Sequence, residues 1–547
     1  MQNEVMDHQE IEWQFEASDL EPVENWLAKH PATSGLAVAL GGKKEITDTY
    51  YDTDDWRLYR AGYALRLRRD GESAEVTMKS LAPAEDALRR RREISEPLEG
   101  GIETPKGTSG PVGERLRRIA AGVGDLRLLF EVRTSRRTFA LRPERTSPDG
   151  TVENASGSNR RREKDPGFGE LAIGELAIDE SEISGDGEAR ARLSRIEVEV
   201  DAWLHESVEG FVGEMRAALN LRPTETSKFE AGLSVAGLDP AVAPDLGPTQ
   251  IDAPLSTGEV AFAILRRHFA TMLAHEPGVR LGEDPEELHD MRVATRRLRA
   301  ALKLYADVLP RRAERYERDL RWVAGALGEV RDLDVHLERL TGEASRSGEV
   351  LEEVVTVLER GRVEAERRML EVLDSKRYEA LVANFSGTLR RGRSPAPTAP
   401  ILERAPDLVR RRYRKARKAA RAITRDSPPE EFHDLRKKGK RLRYALEPLQ
   451  GTYGKPSEKM VELLKAIQDD LGDHQDLVVA AGLMEELGTT RDLPPRAVFS
   501  MGSIAARYTH EAAEMRAGFL GSELLRALKG GKPWKRLRKA MEKRAGG

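Results

Sequence analysis

The carboxy-terminal half of this chain contains the same basic segment twice. Residues 289–299 carry a histidine followed by arginines three, seven and ten residues later, and residues 433–443 repeat that spacing with one lysine. The offset of 144 residues also holds upstream, where Arg266 matches Arg410, and downstream, where Asp332 matches Asp476. A register kept over more than 60 residues predicts two copies of one structural unit.

On a helix, the basic positions of each copy share one face. At about 100° per residue, the histidine and the three cations fall within an arc of roughly 80°, with leucine and methionine behind them. Like charges three or four residues apart destabilise an isolated helix by a few tenths of a kcal/mol per pair. One interpretation is a solvated face paired with nearby acids. Because the row is duplicated at a fixed offset, the pattern favours an anion as its partner and predicts a polyanion-binding site.

Length and composition restrict the class of protein. The 547 residues are enough for two to four domains, and the net charge of −3 hides local segregation, since residues 404–443 are strongly basic. Cysteine is absent, which excludes disulfides, thiolate metal sites and cysteine nucleophiles. The amino terminus lacks the features of a signal peptide, and no run approaches 18 apolar residues. We therefore expect a cytoplasmic protein that does not span a membrane.

Three proline- or glycine-rich stretches divide the chain. The first, residues 145–169, is typical of a long loop. The second, residues 237–254, is typical of an interdomain linker, and the third, residues 386–400, separates the two copies. Before the linker the apolar period is two, which indicates strands, and after it the period is near 3.6, which indicates helices. The predicted fold class is multidomain α+β, with an amino-terminal antiparallel β-barrel followed by an all-α domain of two duplicated helical bundles.

The predicted strands place charged side chains on one face. In residues 10–16, Glu and Gln alternate with Ile, Trp and Phe, and in residues 65–68 Arg alternates with Leu. An ordinary sheet with one wet face is the simpler interpretation. Arg, Lys and Glu dominate the polar face across about seven predicted strands, however, which favours a closed barrel with a charged interior. Such a lumen could hold a metal on its carboxylates and a phosphate chain on its arginines and lysines.

At these residues the amino-terminal half resembles the CYTH family, the triphosphate tunnel metalloenzymes, over residues 8–236. The matching elements, in order, are Glu10-x-Glu12, Tyr51-Asp-Thr53, Leu65-Arg-Leu-Arg68, Lys79, Arg91-x-Glu93, Glu197-x-Glu199 and Ser227-Lys228-Phe229. The family signature has lysine where this chain has Gln14, which removes a cation expected to contact substrate phosphate.

This resemblance implies metal-dependent hydrolysis of a triphosphate, most simply inorganic tripolyphosphate. Glu10 and Glu12 are the expected catalytic carboxylates. Glu175, Glu197 and Glu199 are expected to hold Mg²⁺ or Mn²⁺. The expected phosphate-binding cations are Arg66, Arg68, Lys79, Arg91, Arg137 and Lys228.

The carboxy-terminal half resembles the CHAD family, the conserved histidine α-helical domain, over residues 255–540, with copies at about 257–385 and 401–530. The resemblance implies two four-helix bundles and a basic central pore that binds inorganic polyphosphate, and with it an association with polyphosphate granules. The expected binding residues are Arg266, His289, Arg292, Arg296, Arg299, Arg410, Arg414, His433, Arg436, Lys440 and Arg443.

Two other functions are compatible with parts of the sequence. Gln14 motivates a polyphosphate-binding protein whose barrel is weakly active or inactive. The basic segment 410–425 contains Tyr413 and could contact nucleic acid, but the acidic overall charge and the lack of interleaved aromatic residues argue against this partner. Adenylate cyclase activity, which occurs among CYTH relatives, has no adenine-pocket motif to support it.

Overall fold

The computed structural model describes residues 6–71, 73–98, 104–121, 125–143, 172–185, 188–224, 226–240, 244–251, 255–347, 351–490 and 493–545. The chain divides into two compact units, residues 1–242 and 243–547, at a point inside the segment predicted as a linker. The loop predicted at 145–169 lies outside the described residues. None of the described helices combines the length and apolar character needed to cross a membrane.

The first unit is built around antiparallel strands. They are β1 (Met6–Glu16), β2 (Ala32–Thr33), β3 (Leu36–Asp52), β4 (Tyr63–Asp70), β5 (Ser73–Ser80), β6 (Leu88–Pro97), β7 (Arg127–Pro143), β8 (Gly174–Gly185), β9 (Glu188–Asp201) and β10 (Arg222–Pro223). The helices are α1 (Glu21–Lys29), α2 (Arg57–Arg60), α3 (Pro111–Ile119), α4 (His205–Leu219) and α5 (Lys228–Val235).

The sheet closes on itself. The strand order β1-β6-β5-β4-β3-β7-β8-β9 returns to β1, which pairs with β6 on one side and β9 on the other. The result is a closed eight-stranded antiparallel barrel, so the predicted fold class is confirmed. The short β2 and β10 extend β3 and β1 at the rim.

The barrel is polar inside and apolar outside, because successive side chains of a strand point to opposite faces. Glu10, Glu12 and Gln14 of β1 are buried in the lumen. Trp13 and Phe15, with the outer face of β8 and β9, enter an apolar layer covered by α1 and α4. Each fully buried large apolar side chain of this layer contributes about 1.5–3 kcal/mol. The helices therefore supply the core that an inside-out barrel lacks.

Helix α5 packs into one end of the lumen. A capping box starts it, since the Ser227 hydroxyl accepts from the Glu230 amide and the Glu230 carboxylate accepts from the Ser227 amide. Phe229 packs with Tyr50 and Phe130, which close this end of the barrel with apolar surface. The first residue of α5, Lys228, is thereby presented to the charged part of the lumen.

The regular elements of the described part of the second unit are helices. Its first five helices are α6 (Thr257–Leu281), α7 (Pro285–Leu304), α8 (Ala313–Ser347), α9 (Glu352–Leu373) and α10 (Lys376–Arg391). They are followed by α11 (Ile401–Ala422), α12 (Pro429–Leu446), α13 (Gln450–Tyr453), α14 (Lys455–Thr490), α15 (Pro495–Gly521), α16 (Glu523–Leu528) and α17 (Lys532–Ala545). Helices α6 and α11, and likewise α7 and α12, begin 144 residues apart. The duplication seen in the sequence is thus a duplication of helices.

A methyl group on Gly232 should displace α5 from the barrel. A Cβ at this position would lie 2.0 Å from a ring carbon of Phe130, and overpacking of this kind costs about 1–3 kcal/mol. We expect Gly232→Ala to lower the melting temperature of the full chain. Gly213→Ala is the matched control, because Gly213 also lies within a helix but has no heavy atom within 4 Å of its Cβ position. Its better helix propensity should leave the melting temperature unchanged or higher, and an equal loss in both variants would contradict the packing of α5.

Candidate functional site

The barrel lumen contains a charged cavity of about 130 Å³. Arginine, lysine and glutamate side chains from most strands of the barrel, together with α5, meet there. The charged and polar lining residues are Glu12, Gln14, Tyr50, Arg66, Arg68, Glu75, Lys79, Ser80, Arg91, Glu93, Arg136, Glu197, Glu199, Ser227 and Lys228.

Lys79 on β5 is the centre of the first group of ion pairs. Its Nζ lies 2.5 Å from Glu10 Oε2 and 3.0 Å from Glu93 Oε2. Although burial opposes ionisation, Lys79 and Arg66 hold the pKa of Glu93 far below its usual range. Glu12 pairs with Arg91, and this guanidinium likewise outweighs burial and lowers the pKa of Glu12. Glu12 and Glu93 are therefore ionised at neutral pH.

Glu10 and Glu199 behave differently from these two carboxylates. Burial raises the pKa of Glu10 well above its usual range, and the charges of Glu199 and Glu12 raise it further. Burial, with the charges of Glu93 and Glu12, also raises the pKa of Glu199, which shares a hydrogen bond with Glu10. The two carboxyl groups are thus in contact and compete for ionisation. This is the arrangement that a bound cation relieves.

A second group of ion pairs lies beside α5. Asp179 on β8 accepts from Arg136 at 2.8 Å (Nε) and 2.6 Å (Nη2), and it also pairs with Lys228. Glu197 Oε1 lies 2.9 Å from Lys228 Nζ, and Glu197 Oε2 lies 2.5 Å from Arg136 Nη2. Although burial opposes ionisation, these two cations hold the pKa of Glu197 well below its usual range.

Gln14 links the two groups of ion pairs. Its Nε2 donates to Glu12 Oε1 at 2.8 Å and approaches Glu197 Oε1 at 3.4 Å. An amide at this position is neutral, so neither carboxylate gains a counter-charge from it. On the other side of the lumen, Arg68 pairs with both oxygens of Asp48 at 2.8 Å, and Arg66 lies 3.8 Å from Glu93.

Two residues of the predicted barrel site are not where the sequence placed them. Arg137 points to the outer face of β7 and pairs with Glu24 of α1, and its neighbour Arg136 enters the lumen instead. Residues 136 and 137 are both arginine, so the alternation of the strand does not indicate which of the two faces the lumen. Glu175 pairs in register with Glu199, but it does not line the cavity. The pair of Asp179 and Arg136 has no local signal in the sequence, because the two residues meet only through the register of β7 and β8.

The helical unit has a larger basic cavity, of about 820 Å³. Its walls come from both copies, since α7 and α12 pack against each other. Among the described lining residues Glu447 is the sole acid. The cationic lining residues are Arg267, Arg296, Arg297, Arg299, Lys303, Arg412, Lys437, Lys440 and Arg441.

Burial and the positive charge of the cavity lower the pKa of two side chains that line it. Burial, Arg296, Arg436, Arg443 and Arg292 together lower the pKa of Lys440 to about 7. Burial lowers the pKa of His268 to about 4, with help from two neighbouring arginines. Both shifts have the sign expected where cations outnumber carboxylates.

The eleven predicted residues divide into four groups. Arg296, Arg299 and Lys440 line the cavity, and Arg292, Arg436 and Arg443 lie close enough to act on Lys440. His289 and His433 lie outside the lining, and burial with the charges of Lys437 and Arg436 lowers the pKa of His433. The remaining three predicted residues are Arg266, Arg410 and Arg414.

These three arginines do not belong to the cavity. Arg266 is buried and donates to the carbonyls of Leu389 and Pro248, where it closes the end of α10. Arg410 pairs with Glu542 of α17, and Arg414 is exposed. Arg267 lines the cavity in place of Arg266, and Arg412 in place of Arg410. The missed pairs, His268 with Arg412 and Arg297 with Arg441, also occur at the offset of 144.

Two protein families match separate segments of the chain. The CYTH domain family matches residues 8–233, and the CHAD domain family matches residues 263–485. A search of curated proteins found no match to this chain.

Several solved structures are similar to parts of the chain. The CHAD domain from the plant Ricinus communis is 25% identical over 55% of this chain and 96% of its own length, with a TM-score of 0.44. PptA from Streptomyces chartreusis is 21% identical over 48% of this chain and 98% of its own length, with a TM-score of 0.39. HpAC1 from Hippeastrum is 15% identical over 42% of this chain and 96% of its own length, with a TM-score of 0.29. That protein is described as having a dominant triphosphatase activity.

Adjacent arginines on β7 should differ sharply in their effect on stability. Arg136→Met removes the shared partner of two buried carboxylates, which costs about 3–5 kcal/mol for a buried pair. Arg137→Met removes a partly exposed pair with Glu24, which is worth at most about 1 kcal/mol. Urea denaturation of the full chain measures both values. Equal losses would contradict the assignment of Arg136 to the lumen.

Proposed function

We propose that this chain, which carries a CYTH domain followed by a CHAD domain, hydrolyses a triphosphate in its barrel and binds inorganic polyphosphate in its helical cavity. The observation that carries the first part is the charge pattern of the lumen, where cations from facing strands surround a small space. The cations suited to phosphate oxygens are Arg66, Arg68, Lys79, Arg91, Arg136 and Lys228.

Incoming phosphate would compete with carboxylates for these cations. Lys79 bridges Glu10 and Glu93, and Arg91 is held by Glu12. A triphosphate carries several negative charges, so it can take over part of these pairings while the lumen excludes bulk water. The low dielectric of such a site strengthens each charge-assisted hydrogen bond.

Members of the CYTH family depend on a metal ion, and the donor set of the lumen fits a hard divalent cation. The contact between the carboxyl groups of Glu10 and Glu199 would be relieved by Mg²⁺ or Mn²⁺, which prefer oxygen ligands. Among the described residues no three acidic or histidine side chains already surround one point. Glu10 and Glu199 would hold the ion, whereas both oxygens of Glu197 are engaged by cations and those of Glu12 by Arg91 and Gln14.

The reaction adds water across a phosphoanhydride bond and yields pyrophosphate and orthophosphate from tripolyphosphate. A bound divalent ion would offset the charge of the phosphates. The arginines and lysines of the lumen would stabilise the charge that spreads over the equatorial oxygens in a loose transition state. Glu12 stays ionised, so it can orient the attacking water and accept its proton.

Replacement of Glu12 tests the catalytic proposal. We expect the wild type to release orthophosphate from tripolyphosphate when Mg²⁺ or Mn²⁺ is present, and Glu12→Gln to lose at least about 100-fold in rate. Glu182→Gln is the control, because Glu182 lies on β8 and pairs with exposed Arg192. A malachite-green assay provides the measurement. If the wild type releases no more phosphate than Glu12→Gln, the barrel is inactive and the binding function remains.

Polyphosphate binding is supported by the unbalanced charge of the helical cavity. Basic residues of both copies line it, with Glu447 as the sole described acid. Polyphosphate has about one charge per phosphate unit, so a single chain can contact many of these cations at once. Binding of this type releases counterions and weakens steeply with salt.

A double variant tests the polyphosphate site. Arg296→Gln with Lys440→Gln should weaken polyphosphate binding and reduce the slope of log affinity against log salt by roughly one to two. The control is Arg367→Gln with Arg368→Gln, which removes two cations paired with glutamates on the exposed face of α9. Fluorescence anisotropy with labelled polyphosphate gives both affinities. Equal weakening by the two double variants would refute this location.

The lowered pKa of Lys440 adds a pH dependence. In the free protein this lysine loses its proton near pH 7, and a bound anion raises its pKa again. Binding above pH 7 should therefore take up a proton, and the affinity should fall by at most tenfold per pH unit as the pH rises. Lys440→Arg should abolish the proton uptake while it preserves binding. Calorimetry in buffers of different ionisation enthalpy at pH 8 measures this uptake.

A further inference from the structure

Arg195 on β9 is a buried cation that the proposed reaction does not use. Its side chain lies on the inner face of β9 with Glu197 and Glu199, next to but not among the residues that line the cavity, while the alternate residues Ile196 and Val198 pack in the outer apolar layer. It is only 1% exposed. A charge buried to this extent needs a counter-charge or a full set of hydrogen bonds.

Among the described residues Arg195 has no carboxylate to itself, because the one its charge acts on, Glu197, is already paired with Arg136 and Lys228. Its Nη2 is 3.5 Å from Thr226 Oγ1, and its Nε and Nη1 have no hydrogen-bond partner in the described part of the chain. Its register partner on β8, Asp179, is already held by Arg136 and Lys228. Its register partner on β1, Glu16, is exposed and accepts from Thr224.

A second buried arginine approaches from the other side of β1. Arg89 on β6 is 2% exposed and lies on the lumen face with Arg91. Burial lowers the pKa of Arg89, and the charges of Arg91 and Arg195 add to the shift, so the guanidinium groups of Arg89 and Arg195 sense each other. Glu230 lies 3.6 Å from Arg89 but is half exposed.

The charges at this end of the lumen therefore do not balance. Three cations, Arg136, Arg195 and Lys228, act on the two buried carboxylates Asp179 and Glu197. Gln14 is neutral and adds no charge. The surplus is positive, it lies next to α5, and its donors are fork-shaped guanidinium groups, which match the oxygens of a phosphoryl group.

We propose that Arg195, with Arg89 beside it, binds a phosphoryl group at the α5 end of the lumen. The inference rests on the proposed triphosphate function and names the residue that receives one end of the anion. The phosphoryl group has two possible sources, the terminal unit of the bound triphosphate and the orthophosphate that hydrolysis releases. Both present a tetrahedral group with several oxygens to the same two arginines.

Calorimetric titration without divalent ions tests the site independently of turnover. The probes are tripolyphosphate and orthophosphate, and the full-length proteins have a wild-type barrel (wild type below), Arg195→Gln, Arg195→Lys or Arg192→Gln. All of them also carry Arg296→Gln and Lys440→Gln, which weaken anion binding in the helical cavity. Arg192 is a matched control because it lies on the same strand, but its side chain is 84% exposed and pairs with Glu182. We expect Arg195→Gln to weaken tripolyphosphate binding at least tenfold, Arg195→Lys to retain part of the affinity, and Arg192→Gln to behave as wild type.

The outcomes separate the two proposals. If the wild type binds tripolyphosphate in the barrel and Arg195→Gln binds it equally well, the role of Arg195 is overturned while the triphosphate function stands. If a barrel variant such as Glu12→Gln with Arg91→Gln binds as the wild type does, the triphosphate function itself fails. Loss of orthophosphate binding in Arg195→Gln identifies the product as a second occupant, whereas loss of tripolyphosphate binding alone identifies the substrate.

Thermal unfolding distinguishes a ligand-binding arginine from a structural one. Without any anion, Arg195→Gln removes a buried cation whose Nε and Nη1 have no hydrogen-bond partner among the described residues, so the melting temperature should stay the same or rise. The increase in melting temperature that tripolyphosphate causes in the wild type should shrink in this variant. A fall in the melting temperature of the anion-free variant would mean that Arg195 serves the fold, and would overturn the proposal.

Discussion

The structure of the first unit depends on the ion pairs buried inside its barrel. A closed barrel with charged side chains inside must compensate each charge within the lumen, because isolated buried ions are costly. Asp179 and Glu197 achieve this through Arg136 and Lys228, and Lys228 reaches them because α5 packs into the end of the lumen. The apolar contacts of Phe229 thus position an electrostatic group, so packing and charge compensation are inseparable here.

The helical unit differs, since the cations that line its cavity outnumber the acids that line it. In the barrel, ion pairs keep most carboxylates ionised, whereas in the helical cavity burial and neighbouring cations lower the pKa of Lys440 to about 7. A site that suppresses its own positive charge gains most from a polyanion, which restores that charge on binding. Duplication explains how the cavity arises, because two copies of one basic helix are brought face to face.

Much of this architecture could be predicted from the sequence, and the errors are informative. The barrel, the helical bundles and their order followed from the periods of two and 3.6 and from the repeat. The site residues were predicted less well: Arg137 was chosen where Arg136 enters the lumen, and Arg266 where Arg267 lines the cavity. In both cases the residue that faces inward is the direct neighbour of the predicted one. Runs of adjacent arginines show which segment is basic but not which side chain faces inward.

The sequence by itself determined which segments alternate, which repeat and where cations concentrate, because these properties depend only on neighbours along the chain. The tertiary structure alone decided how the charges pair. Glu10 meets Glu199, and Arg195 is buried beside an Asp179 that is already neutralised, through contacts between residues far apart in the chain. Strand register and the packing of α5 set these contacts, and neither leaves a local signature in the sequence.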